Sequence, residues 1–353
     1  HNDDQIIGQA RPLARQKDRQ INWQRDDTQT VLRKIRSGDG VPGVEDTIFE
    51  RRVRLFDASE AFHFSGKPGE VVAKSGPAVC RTTTDGAIWI GHVIAAVSGH
   101  QFKLPATVAL AAELDGIEEV PRDSDAGYSE IRYEEFGRVG YLHFEFYNGA
   151  MGVEQCERLL DAYRSACARP TNTIVFLGGR DFWSNGMHLN LIEASASAAE
   201  ESWRNINAVD DLAEAIIRTD SHLTISALQG NAGAGGVFLA RAADFVWLRK
   251  GIILSPHYKD MGNLFGSEFW TYLLPRYVGD ENARVIADAR LPMGTREAVN
   301  LGLAQAHFAS SREEFCSEVR SRARDLSERD DFDDLLAGKK SRRDTDEADR
   351  PLS

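Results

Sequence analysis

Leu223-Thr224-Ile225-Ser226-Ala227-Leu228 runs directly into Gln229-Gly230-Asn231-Ala232-Gly233-Ala234-Gly235-Gly236, and that turn opens a helix-like stretch at residues 237–243. A short apolar run bounded by glycine reads as a buried strand, and the apolar stretch behind it as a helix. A strand feeding a helix through small residues leaves backbone N–H groups free at the helix start. The construction also occurs upstream. There Thr173-Ile174-Val175-Phe176-Leu177 leads into Gly178-Gly179-Arg180-Asp181-Phe182-Trp183-Ser184-Asn185-Gly186-Met187-His188-Leu189. One free amide binds weakly, whereas two converging amides hold an oxyanion. Close packing alone also selects glycine-rich turns, so neither turn decides the function by itself. A dinucleotide-binding fingerprint is disfavoured, because Arg249 and Lys250 stand where an acidic ribose anchor would be expected about 20 residues on.

Around these turns, strand-like 139–146 and helix-like 152–168 and 201–218 continue a strand and helix alternation, the pattern of an α/β domain. The first third of the chain reads differently. Val31, Leu32 and Ile35 take helical spacing within 27–37, with Thr28 as the expected cap. Beyond them, β-rich runs at 52–56, 70–74, 78–83 and 87–91 are broken by Lys67-Pro68-Gly69, Ser75-Gly76-Pro77 and Asp85-Gly86. Short strands at such spacing predict a small β-barrel. Residues 113–127 lose apolar periodicity and gather acidic residues with Pro121 and Gly127, as a connection does, which places a boundary near residue 125. The expected organisation is a linker and barrel over 1–125, an α/β domain over 126–315, and a charged helical or disordered tail over 316–353. A length of 353 residues accommodates two cores. His1 without a methionine and the charged end Arg350-Pro351-Leu352-Ser353 read as a chain cut at both ends.

A net charge of −12 argues against nucleic acid as a partner, since phosphate binding rests on clustered Lys and Arg. No run of eighteen apolar residues is present, so no membrane-spanning helix is expected. Cys80, Cys156, Cys167 and Cys316 lack C-x-x-C spacing and suggest neither a metal site nor a disulfide framework. A cytoplasmic location is expected.

The order of these features resembles the crotonase, or enoyl-CoA hydratase/isomerase, superfamily across residues 130–310. Asn185-Gly186-Met187-His188-Leu189 looks like that family's first oxyanion turn, and 229–236 like its second, with Ala234 replacing the first glycine of a run of three. Ser255-Pro256-His257-Tyr258, Leu274-Pro275-Arg276-Tyr277-Val278-Gly279 and residues 298–304 match later landmarks. The resemblance implies a ββα superhelix, acyl-CoA as the ligand, and the Met187 and Gly235 N–H groups as the oxyanion hole.

Hydration of an enoyl thioester needs carboxylates on both sides of a bound water. The two positions where the family carries them hold Phe238 and His257, so water addition is disfavoured. His257 is a minor candidate base, although a histidine beside proline is at least as often structural. Within 257–272, Tyr258 offers a donor and Glu268 an acceptor. Glu268 becomes a proton donor where Phe265, Phe269, Trp270 and Tyr272 raise its pKa. A surface cap or ion pair is the alternative for Glu268.

Arg11-Pro12-Leu13, 18–23, 32–36 and Val41-Pro42-Gly43 resemble the passage into the C-terminal barrel of methionyl-tRNA formyltransferases. The Asn, His and Asp set that does that family's catalytic work has no counterpart here. A formyltransferase C-terminal module joined to a crotonase resembles a family of hydrogenase maturation proteins. That resemblance implies transfer of a formyl group from formyl-tetrahydrofolate to coenzyme A, then decarbonylation of formyl-CoA. The carbon monoxide would become a ligand of nickel–iron hydrogenase, with hydrogenase maturation proteins or the hydrogenase large subunit as partners. By this reading Tyr258 and Glu268 are catalytic. Arg33, Lys34, Arg36, Arg51, Arg52 and Arg54 form the densest basic cluster; Arg36 and Arg51 are its candidates for the CoA phosphates, and a solvated charged face is the alternative. A crotonase-type hydrolase, decarboxylase or isomerase and a noncatalytic CoA-binding scaffold stay open as other functions.

Overall fold

The computed structural model describes residues 12–95, 102–257, 266–289 and 291–349. It divides into two compact units, His1–Ser129 and Glu130–Ser353.

In the first unit the Thr28–Arg36 helix is capped by Asp27, whose carboxylate accepts the Thr30 N–H at 2.7 Å. Thr28, the expected cap, instead bonds Asp85 and Thr83 through its hydroxyl. The helix buries Val31, Leu32 and Ile35 in the same core as Leu55, Ile88, Ile90 and Val93 of the sheet. That sheet is seven-stranded among the described residues and mostly antiparallel. Its spine is the long Arg51–Ala61 strand paired with Ala87–Ala95, Leu55 opposite Val93. Val71–Ser75 and Ala78–Thr82 complete the strands expected from sequence. Val44–Ile48 was not legible: only its two ends are buried, and Glu45-Asp46-Thr47 between them hides the alternation.

The second unit is built from ββα turns. Thr173–Leu177, Leu223–Leu228 and Phe245–Arg249 lie parallel in one sheet, in which Leu177 pairs with Ala227 and Ala227 with Trp247. Each is followed by a short strand of a second sheet, Phe182–Ser184, Asn231–Gly233 and Ile253–Ser255 respectively. The chain therefore climbs as a spiral. On one face of the larger sheet, the Val153–Cys167 and Ala198–Arg218 helices pack through Cys156, Leu159, Val209 and Leu212. On the other, the Arg312–Ser327 helix inserts Phe315, Val319 and Ala323 against Val139, Tyr141, Val175 and Ile225.

Residues 316–349, expected as a tail, are thus mostly helical and belong to this unit. Its last helix, Phe332–Asp349, is anchored by buried Lys339, whose ammonium donates to Asp244 Oδ2 at 2.7 Å and to the His222 carbonyl at 2.8 Å. Among the described residues, no helix is long and apolar enough to cross a membrane.

Candidate active site

The two glycine turns come together just after the short strands Phe182–Ser184 and Asn231–Gly233. Gly186 takes φ +73°, a left-handed conformation that glycine adopts without strain. A Cβ there would lie 3.2 Å from Gly235 N and 3.6 Å from Gly236 N. At Gly236 a Cβ would overlap the Ser184 carbonyl, which is backbone and cannot step aside. Small residues are required because one turn lies on the other.

The first turn is held from both sides of Met187. Met151 N–H donates to the Gly186 carbonyl at 2.9 Å, and His188 N–H donates to the Met151 carbonyl at 3.1 Å. His188 follows directly on Met187. Its Nδ1 accepts the Leu191 N–H at 3.2 Å and caps the Leu189–Ala194 helix.

In the second turn, Ala234 N–H donates to the Ser255 carbonyl at 2.9 Å, and the Gly235–Arg241 helix begins at once. Ala234 stands at φ +45°, ψ −127°, a region that glycine enters freely and alanine only under strain, on the order of 1–3 kcal/mol. Among the described residues, neither the Met187 nor the Gly235 N–H is given to a hydrogen-bond acceptor. Two backbone donors on touching turns are what a developing thioester oxyanion requires.

Glu268 lies at this site. It is 1% exposed, and a Cβ on Gly235 would fall within bonding range of its carboxyl group, 2.6 Å from Oε2. The carboxyl therefore packs directly on the second glycine turn and is not a surface cap. Its charge is also felt by Cys156 on the Val153–Cys167 helix, whose thiol is pushed well up, by burial first and by Glu268 second. That thiol is inert as a nucleophile. Glu268 and Phe269 both take φ +54°, a conformation that costs non-glycine residues on the order of 1–3 kcal/mol each and persists only where the surroundings impose it. Here the Glu268 N–H is bound to Asp210 Oδ1 at 2.6 Å.

Phe238, in the place of the first hydratase glutamate, is 2% exposed, with its ring centroid 6.2 Å from that of Trp270. The place of a water-activating carboxylate is filled by an apolar pair. His257, in the second place, donates its N–H to the Ser255 carbonyl at 3.0 Å, and its Nδ1 is buried with no partner among the described residues. Tyr258 and Phe265 lie outside the described residues.

Arg36 and Arg51 lie in the first unit. Arg36 is exposed, with Nε 3.3 Å from the Ala58 carbonyl; Arg51 is half-buried and committed to Glu113 at 2.7 Å and to the Ala109 carbonyl at 3.1 Å. Lys34 of the same cluster is paired with Asp26 at 2.6 Å. Arg36 thus has the freer guanidinium for a phosphate, since Arg51 would have to give up a carboxylate. Sequence reasoning missed Asp210 and Asn205. Both sit on an amphipathic helix, where a polar residue beside apolar ones gives no sign of facing inward.

Residues 148–341 match the family model of enoyl-CoA hydratase/isomerase, and residues 14–102 that of the formyl transferase C-terminal domain. The hydrogenase maturation factor HoxX of Bradyrhizobium diazoefficiens is 53% identical over 343 residues, covering 97% of this chain and 60% of that protein. The crystal structure of HypX from Aquifex aeolicus in complex with tetrahydrofolic acid superposes with a TM-score of 0.90 at 44% identity, over 94% of this chain and 60% of that one. The chain thus spans about 60% of the length of these relatives. Enoyl-CoA hydratase from Bacillus halodurans shares the fold alone, with a TM-score of 0.55 at 20% identity over 64% of this chain and 89% of that one.

Proposed function

Because this chain belongs to the enoyl-CoA hydratase/isomerase family and carries the domain pairing of the HoxX/HypX type, we propose that its second unit releases carbon monoxide from formyl-CoA, for use as a ligand of nickel–iron hydrogenase. The observation that carries the reading is the Glu268 carboxyl packed on Gly235, with the Met187 and Gly235 N–H groups taken by no acceptor among the described residues and with Phe238 where hydration would need an acid. A formyl thioester has no α-carbon to deprotonate and no double bond to hydrate, so the two missing glutamates have no task.

In the proposed step the Met187 and Gly235 N–H groups bind the formyl oxygen and draw electron density from carbon. The Glu268 carboxylate takes the formyl hydrogen as a proton. The electron pair left on carbon becomes the lone pair of carbon monoxide as the C–S bond breaks, and the bonding pair leaves with sulfur. The proton then passes from Glu268 to the CoA thiolate. Nothing is oxidised or reduced, and no water is consumed. Tyr258 is assigned to orient the formyl group. Coenzyme A carries the acyl group. The formyl group would come from formyl-tetrahydrofolate, a source consistent with the folate in the HypX relative. The carbon monoxide would be received by hydrogenase maturation proteins or the hydrogenase large subunit.

A comparison of acyl groups tests the reading. The full-length protein should consume formyl-CoA and leave crotonyl-CoA unchanged over the same period, followed by the appearance of free CoA and the loss of enoyl absorbance. Hydration of crotonyl-CoA at a rate matching the consumption of formyl-CoA would return the site to ordinary crotonase chemistry.

A further inference from the structure

We propose that Asp210 is the positioning residue for Glu268, and that through it the Ala198–Arg218 helix sets the spacing between the oxyanion donors and the carboxyl beside them. The proposal rests on the reading of Glu268 as the group that handles the formyl proton. Glu268 and Phe269 form a left-handed pair that local sequence does not favour. The Glu268 N–H meets Asp210 Oδ1 at 2.6 Å, a short bond of the kind a carboxylate acceptor makes. Burial raises the pKa of Asp210, as expected for a carboxyl turned inward from its helix.

The same helix grips the opposite side of the site. Asn205 accepts the His188 N–H through Oδ1 at 3.2 Å and donates from Nδ2 to the Met151 carbonyl at 2.9 Å. Those two groups also bond each other, just past Met187 in the chain. Asn205 and Asp210 are separated by about 7.5 Å along the helix axis. One rigid element therefore holds the residue next to the first oxyanion donor and the residue that packs on the second.

The test compares Asp210→Ala, Asp210→Asn and Glu268→Gln in the full-length protein, with carbon monoxide release from formyl-CoA as the readout. Asp210→Ala removes the acceptor and lets the 268–269 turn relax, so kcat should fall on the order of 10²-fold, the effect of misplacing a catalytic group by about 1 Å, with KM little changed. Asp210→Asn keeps an oxygen that accepts the same N–H and should recover most of that loss. Recovery by Asn with a kcat-only defect in Ala supports the proposal, because a generally loosened fold would not separate the two variants. A wild-type kcat in Asp210→Ala, or an Asp210→Asn variant no better than Ala, overturns it while leaving the role of Glu268 standing. Full activity in Glu268→Gln removes the premise and the proposal together. If Asp210→Ala does not fold, Asp210→Asn decides alone: kcat near wild type supports positioning by the hydrogen bond, and a loss as deep as that of Glu268→Gln contradicts it.

Discussion

Replacing Glu268 by glutamine should lower carbon monoxide release from formyl-CoA by on the order of 10²–10⁴-fold, the range a positioned proton-transfer group contributes. Glutamine keeps the size of the side chain and its contact with Gly235, so binding of the thioester should survive. The change removes only the ability to take a proton from the formyl carbon and return it to sulfur. Carbon monoxide trapped by a haem protein during a single turnover would give the rate, and CoA displacement would give the affinity. Tyr258→Phe should also slow release, by less, because an orienting donor is lost and not the proton carrier. Unchanged release from both variants would sink the assignment of these residues.

The second large effect is expected from Gly235→Ala. A methyl group on Gly235 cannot coexist with the Glu268 carboxyl where it now lies. The obstructing atoms are the end of a side chain with several rotatable bonds, so the carboxyl swings away and the chain still folds. The cost in stability should be modest for added volume at a packed site, about 1–3 kcal/mol, but activity should fall on the order of 10²-fold through misplacement of Glu268. A thermal unfolding curve beside a kcat measurement separates the two effects. Wild-type kcat in Gly235→Ala would show that the contact between Gly235 and Glu268 has no part in the reaction.

Much of this site could be read from the chain because its constraints are steric. Gly186 and Gly236 have to be small where two turns touch, and glycine at both positions stands in the sequence. The buried strands Thr173–Leu177 and Leu223–Leu228 were equally plain, since both faces are covered and the run is apolar throughout. Glu268 could be chosen as a candidate from its aromatic neighbours, but nothing in the sequence tells that its carboxyl packs on Gly235.

Long-range hydrogen bonds were hidden for the same reason. Asp210 reads as one of two acids on a solvated helix face, and its bond to a backbone N–H 58 residues away is a tertiary fact. Residues 316–327 of the Arg312–Ser327 helix read as charged tail because the fully buried apolar side chains of that helix are Phe315, Val319 and Ala323, one narrow stripe among many charges. In the barrel unit, Arg51 showed its positive charge in the sequence but not Glu113, which already occupies it.

The most direct test of this account is the fate of the formyl carbon. Full-length protein should be supplied with formyl-CoA labelled with carbon-13 at the formyl position, and the products followed by isotope-resolved gas analysis and NMR. The account expects labelled carbon monoxide and free CoA in equal amounts, with no labelled formate beyond that from spontaneous hydrolysis. Labelled formate as the enzymatic product, with no carbon monoxide, would show that the oxyanion hole serves a hydrolase and would contradict it.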